Sequence, residues 1–201
     1  MIDSIFIERD VLDHPVSQKV INRLKNADVF EIERYQEMFN RRQQNFRIQK
    51  QNPALILAKK YDNFVLPAPS GFGIDAQKNY YFSHMYNCIY DCRYCFLQGM
   101  YSSANYVLFV NYEDFFAKIT DVIAENTNDS ITFFSGYDCD SLAFEKITGF
   151  AEQAVEFFSN FNSVELELRT KSIVSDTLLK RSPISNCIVA YSLSPSNVAS
   201  I

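Results

Sequence analysis

Between residues 79 and 191 short apolar runs alternate with helix-periodic stretches, and this alternation limits most strongly what the chain can fold into. Runs at 79–83, 131–134, 164–168 and 187–191 read as strands, the third through its VELEL alternation. A helix is expected over about 112–124, after a short extension at 106–110. Phe144, Ile147, Ala151, Val155 and Phe158 mark one apolar helical face, and 177–180 a helical turn. Strand–helix repetition predicts parallel strands joined by right-handed crossovers. Four such strands make an α/β fold of the partial (β/α) barrel type, corresponding to its first half. The edge after the last strand calls for cover from another chain or from further sequence, as in a fragment.

Residues 1–70 read as a small mixed α/β region. Strands are expected at 5–7, 29–32 and 54–58, and Val16, Val20, Ile21 and Leu24 recur at helical spacing. The segment LPAPSGFG at 66–73 gathers proline, serine and glycine and is the expected boundary between a region 1–70 and a barrel region 71–201.

Several function classes are excluded early. At 47% hydrophobic and 21% charged residues the chain is globular. No stretch approaches the ~20 apolar residues of a membrane span, so no membrane association is expected. GxGxxG and P-loop patterns are absent, as are HExxH, a triad-like pattern and a glycosidase-like acid pair. The first residues lack a basic-then-apolar leader, and five cysteines without one point to a reducing, cytoplasmic setting with thiols kept for chemistry or metal.

The chemistry concentrates in Cys88-Ile-Tyr-Asp-Cys92-Arg-Tyr-Cys95, expected directly after the strand at 79–83. Three thiolates in one loop can face a common point. A closed iron–sulfur cluster normally takes four cysteines, so three leave one iron open. A loop at the C-terminal end of a parallel strand would turn that iron toward the ligand side of the sheet. A tetrahedral Cys₃His zinc site with His84 is the other reading, in which the chain is a non-catalytic, zinc-stabilised nucleic-acid-binding module; a third is an inactive fragment that binds a cluster and turns nothing over. His14 receives no role.

Net charge is −5, yet residues 41–60 carry six basic side chains and no acidic one. Seven of the twelve tyrosines fall between Tyr80 and Tyr106. Together they could hold DNA or another nucleic acid through phosphates and stacked bases, or form a solvated face and ordinary aromatic packing.

CxxxCxxC with an aromatic before its last cysteine resembles the radical S-adenosylmethionine (SAM) enzymes. From about residue 43 the chain resembles one branch, the spore photoproduct lyase family. NFRIQKQNPALILAKK, NCIYDCRYCFLQG, YVLFVN, SGYDCDSLAFEKITGF, LRTKS and AYSLSP carry the resemblance in order. It implies a partial (β/α) barrel and a [4Fe–4S] cluster on Cys88, Cys92 and Cys95. It also implies reductive cleavage of SAM to a 5′-deoxyadenosyl radical, a DNA thymine lesion as substrate, and a reductant protein such as flavodoxin or ferredoxin. Tyr94 matches an aromatic position of the motif. Lys171 falls where the family sets a lysine near the SAM carboxylate, Ser192 at a serine near the cofactor, and Asp140 at an acidic position. Asp140 can equally cap the helix that follows. Two positions depart from the pattern. Tyr137 stands where the family has its hydrogen-donating cysteine, and Phe96 where it has a tyrosine. Cys139, two residues beyond Tyr137, is the candidate substitute donor, or else a small buried hydrophobe. Cys187 is expected in the core.

Overall fold

The computed structural model describes residues 2–90, 92 and 95–193. The apolar runs form strands and the periodic stretches helices. In chain order these are β1 Ser4–Glu8, α1 Pro15–Arg23, β2 Asp28–Ile32, α2 Phe46–Gln49, β3 Leu55–Ala58, β4 Leu66–Pro67, β5 Lys78–Phe82, β6 Met85–Tyr86, α3 Leu97–Met100, β7 Tyr106–Phe109, α4 Tyr112–Glu125, β8 Ile131–Ser135, α5 Glu145–Thr148, α6 Phe150–Phe158, β9 Val164–Thr170, α7 Asp176–Leu179 and β10 Cys187–Tyr191.

Two sheets result. One runs β10-β9-β8-β5-β4, its first four strands parallel, and these are the four barrel strands expected. Its register sets Phe82, Ser135 and Leu168 on one face and Tyr81, Phe134 and Glu167 on the other. The first face meets the helices: Phe82 packs on Phe150 with ring centroids 6.1 Å apart, and Phe133 on Phe158 at 5.7 Å. Each such ring, fully buried, contributes roughly 1.5–3 kcal/mol.

The other sheet runs β2-β1-β3-β7-β6, parallel except for β6. All four residues of β3 are buried between parallel neighbours, as a continuous apolar run requires. This sheet departs from the expected division at residue 70. β3 precedes the 66–73 segment and pairs with β7, which follows it. Leu66 and Pro67 are themselves β4, antiparallel to β5. One hydrophobic core joins both sheets, from Ile5, Leu57 and Leu108 through Phe115 to Phe133 and Leu166.

Local chemistry fixes the helix starts. His14 caps α1, its Nδ1 accepting the Val16 N–H at 3.2 Å, with Pro15 in the first turn. Asn111 exchanges both hydrogen bonds with the Lys60 backbone at 2.9 Å and donates to Asp114 at 2.7 Å, binding the end of β3 to the start of α4. The apolar face from Phe144 to Phe158, expected as one helix, is split into α5 and α6 at Gly149. That residue takes φ +67, which terminates α5 in the left-handed region.

Candidate active site

The thiol loop does not follow β5 directly. After Phe82 the chain crosses to the other sheet, where β6 pairs antiparallel with β7, Met85 opposite Leu108 and Tyr86 opposite Val107. The loop therefore starts pinned between the two sheets. Asn87 turns the chain at that point with φ +64, a conformation asparagine tolerates better than most residues. Its buried amide donates to the Ser103 and Asn105 carbonyls at 2.8 and 2.7 Å. Asn105 in turn accepts the Ala54 N–H at 3.0 Å. This asparagine relay ties the loop to β3 and β7, and the sequence reading missed it because single asparagines carry no periodic signal.

Cys88, Cys92 and Cys95 are free thiols and half-buried. The Cys92 carbonyl accepts the Cys95 N–H at 2.9 Å, closing a turn. The Cys88 thiol is pushed up to about 12, chiefly by burial, with the negative charges of Asp140, Cys92 and Cys95 adding to it. The charges of Cys92 and Cys95 reach Cys88, so the three sulfurs lie in one neighbourhood, and cysteine thiolates are the donors that hold iron–sulfur groups. Donor type and loop placement fit such a group. Among the described residues no three His, Cys, Asp or Glu side chains already converge as a closed metal cage. Tyr94 lies outside the described residues.

Asp140, Lys171 and Ser192 are brought together at the C-terminal ends of β8, β9 and β10. Asp140 Oδ2 accepts the Lys171 N–H at 2.6 Å; Oδ1 accepts the Thr170 hydroxyl at 2.7 Å and the Leu142 N–H at 2.9 Å. The bond to Leu142 makes a local turn rather than the expected helix cap, since α5 begins only at Glu145. Lys171 Nζ donates to the Ser192 carbonyl at 2.9 Å, and the Ser192 N–H to the Thr170 carbonyl at 2.9 Å. Tyr90, from the thiol loop, hydrogen-bonds Ser172, and its hydroxyl is raised by burial and then by the nearby Asp140 and Cys88. Loop and strand ends therefore share one neighbourhood. Tyr90 and Ser172 are further positions the sequence reading did not single out.

His84 does not extend the thiol set. Its ring lies flat on Phe150, centroids 3.6 Å apart at 5°, and its Nδ1 is 4.0 Å from Cys139 Sγ. Burial drives its pKa down to about 3, so the imidazole is neutral. This core placement, on the Cys139 side, disfavours the Cys₃His zinc arrangement. Cys139 is only 7% exposed, and burial holds its thiol well above the usual range, with Cys88, Asp138 and Asp140 adding to the shift. It stays as S–H, the form from which a hydrogen atom can leave. Tyr137 is stacked on Tyr81 at 4.4 Å, while Phe96 is exposed.

The basic stretch is not one patch. Arg41, Arg42, Arg47 and Lys59 are on or near the surface, but Lys60 is buried, donating to the Tyr86 hydroxyl at 2.9 Å over the Phe109 ring. Lys50 donates to Gln98 at 2.6 Å. Several tyrosines of the 80–106 cluster pack internally, Tyr80 on Phe133 and Tyr86 on Phe109. Cys187, expected in the core, is half-buried, and burial pushes its thiol up to about 11. It sits on β10, the strand at one end of its sheet.

Comparisons with known proteins bear on the family and the fold. The family model described as spore photoproduct lyase matches residues 1–199. A solved cysteine-to-serine mutant of spore photoproduct lyase has a TM-score of 0.85 at 18% identity, covering 100% of this chain and 58% of that one. A double mutant with bound AdoMet and dinucleoside spore photoproduct gives 0.86 at 18% identity, with the same coverage. A spore photoproduct lyase complexed with dinucleoside spore photoproduct gives 0.82 at 17%, again covering 100% and 58%. The chain spans 58% of the length of these solved chains, and at such identity the likeness carries the fold. No curated protein matches the chain.

Proposed function

We propose that this chain, which belongs to the spore photoproduct lyase family, takes part in radical SAM chemistry directed at a thymine-derived lesion in DNA. The observation that carries the reading is the joint placement of the Cys88–Cys95 loop with Asp140, Lys171 and Ser192 at the ends of three parallel strands. Ligand sites of open parallel sheets lie at those ends.

Cys88, Cys92 and Cys95 would hold a [4Fe–4S] cluster, leaving one iron for SAM. Such a cluster, when bound and reduced, supplies the electron that cleaves SAM to methionine and a 5′-deoxyadenosyl radical. The chain's own residues orient and shield. Lys171 offers a cation for the SAM carboxylate, and charge-assisted contacts of this kind are among the stronger polar ones. Asp140 fixes the backbone from which Lys171 projects. Ser192 adds a polar contact from the neighbouring strand. Tyr94, which precedes Cys95 in the motif, is proposed as a further catalytic residue. Cys139, held as S–H, is the candidate to return a hydrogen atom to the product radical, which leaves a thiyl radical on the protein. The reductant is a one-electron carrier such as flavodoxin or ferredoxin, and the setting is cytoplasmic. Among the described residues no helix is long and apolar enough to cross a membrane.

The test is metal analysis of the anaerobically purified chain, followed by assay of 5′-deoxyadenosine formed from SAM with a chemical reductant. About four irons and four sulfides per chain with nucleoside release support the reading. About one zinc and no sulfide overturn it in favour of a zinc-stabilised module.

A further inference from the structure

The thiol loop has two neighbours. On one side Tyr90 hydrogen-bonds Ser172, close to Asp140 and the strand ends. On another, α2, the loop and α3 enclose a concavity of about 440 Å³ that reaches Cys88. Its walls include Phe46, Arg47, Cys88, Ile89, Tyr90 and Leu97, and none of Asp140, Lys171 and Ser192. The enclosure is built in advance. Lys50 of α2 donates to Gln98 of α3 at 2.6 Å, and Gln49 Oε1 accepts the Ala104 N–H at 2.9 Å. Asn40 Oδ1 accepts the Ser102 N–H at 2.7 Å, which fixes the turn before α2 to the segment after α3.

The elements that wall this concavity expose two kinds of side chain. Ile48 on α2 and Phe96 at the start of α3 are 65% and 63% exposed, and Ile89 and Met100 are exposed too. Arg41 and Arg42 in the turn and Arg47 on α2 are also exposed. Residues 38–61 contain no aspartate or glutamate, and residues 84–112 contain one, Asp91, outside the described residues. The whole chain carries −5, so this rim is opposite in sign to the remainder. Aromatic, methionine and arginine side chains are those that protein interfaces concentrate, whereas a nucleic-acid surface is more polar and more strongly cationic.

We propose that this face docks the one-electron carrier, a protein with an acidic rim around an apolar patch. The acidic remainder of the chain repels such a partner, and the three arginines raise its rate of arrival here. Ile48, Ile89, Phe96 and Met100 then meet its apolar centre. One electron leaves the carrier's reduced cofactor, which is oxidised by one, and enters the group held by the loop, which is reduced by one. No atom is transferred. A contact below about 1,200 Å² suffices for such an encounter and lets the oxidised carrier leave. The assignment rests on the radical reading above and deepens it by naming where the reductant binds.

Reduced flavodoxin is the probe, with dithionite as the small reductant that needs no docking. In anaerobic stopped flow, flavodoxin should bleach the visible absorption of iron-loaded Arg42→Glu/Arg47→Glu about ten-fold or more slowly than that of the parent, the scale of electrostatic steering. Added salt should slow the parent and leave the variant nearly unchanged. Lys25→Glu/Lys180→Glu, the same charge change at exposed positions elsewhere, should stay close to the parent. Dithionite rates and iron content should match in all these chains. Phe96→Ala should slow flavodoxin at every salt concentration. Broadening of isotope-labelled flavodoxin signals by the chain as purified is a second readout, independent of turnover, and should vanish in Arg42→Glu/Arg47→Glu. Equal flavodoxin rates in parent and Arg42→Glu/Arg47→Glu, or no broadening by the parent, overturn the assignment. Loss of duplex-DNA retention in that variant with flavodoxin rates intact overturns it too and gives the face to phosphates. If the chain holds no iron, the radical reading fails on metal analysis, while the broadening still judges the face.

Discussion

The carboxylate of Asp140 holds the backbone N–H of Lys171 at 2.6 Å, so the loop after β8 sets the position of the cation that leaves β9. The same carboxylate accepts from Thr170 and Leu142. It is thus a positioning residue, spent on the protein's own donors, and its influence on a bound carboxylate passes through Lys171.

Asp140→Ala should leave three donors at a buried position unpaired. A loss of about 1–3 kcal/mol per unsatisfied buried group sets the scale, so unfolding should come at clearly lower urea. Asp140→Asn keeps acceptor capacity on one oxygen and should lose less. Lys171→Met should instead weaken SAM retention while leaving the urea midpoint closer to that of the unaltered chain. Midpoints for the three variants, read beside SAM binding, check this ordering.

Asn87 combines a left-handed backbone with two side-chain hydrogen bonds. Asn87→Gly keeps the backbone freedom and loses the bonds; Asn87→Ala loses both. Iron incorporation during anaerobic reconstitution should therefore fall in the order Asn87, Gly, Ala, with Ala also the least stable by about 1–3 kcal/mol. If the Gly and Ala variants incorporate iron like the parent, the asparagine relay does not shape the thiol loop.

Much of this framework was legible beforehand, and the failures have physical causes. The strands at 79–83, 131–134, 164–168 and 187–191 were readable because each joins an apolar run to a helix-periodic stretch. β10 agrees with its expected range to the residue, and α4 to within one residue at its end. β6 was not visible: two residues have no period, and Met85 and Tyr86 become a strand only by pairing with Leu108 and Val107. The joining of β3 to β7 across the 66–73 segment is equally non-local, and proline and glycine there signal a turn without saying which sheets it separates. Gly149 was in plain sight inside the apolar face, where periodicity hid the break. At the site, residue types named Cys88, Asp140 and Lys171 through resemblance. Burial of Cys139 was one of the two readings open at that position, and its pairing with His84 came only from packing.

His84 makes stability fall in acid. Its folded pKa, about 3, lies below the ordinary histidine value of 6.5 because burial disfavours the imidazolium. Between these values the unfolded chain binds a proton that the folded chain refuses. The contribution is complete above pH 6.5 and is lost progressively as pH falls toward 3, at roughly 1.4 kcal/mol per unit. His84→Phe keeps an aromatic surface on Phe150 and removes the titration. The difference in urea midpoint between pH 7.5 and pH 5 should shrink in this variant. An unchanged difference would assign the acid sensitivity to other groups.

Cys92 offers the most direct check on the thiol loop. Three cysteines leave no spare thiol within the motif, and neither of the other two cysteines belongs to the loop. Cys139 is buried beside His84, and Cys187 belongs to β10 at the far edge of the barrel sheet. Cys92→Ala should abolish the broad visible absorption of the reconstituted chain and, with it, release of 5′-deoxyadenosine. The fold should persist, because the side chain is half-buried and no strand or helix includes it. A circular dichroism spectrum like that of the parent separates loss of the group from loss of the fold. Cys139→Ala is the control, since the loop's three thiols remain: absorption should survive, while any shift in products reports on hydrogen return. Visible absorption with full iron content in Cys92→Ala would remove Cys92 from the ligand set and reopen the question of what the loop holds.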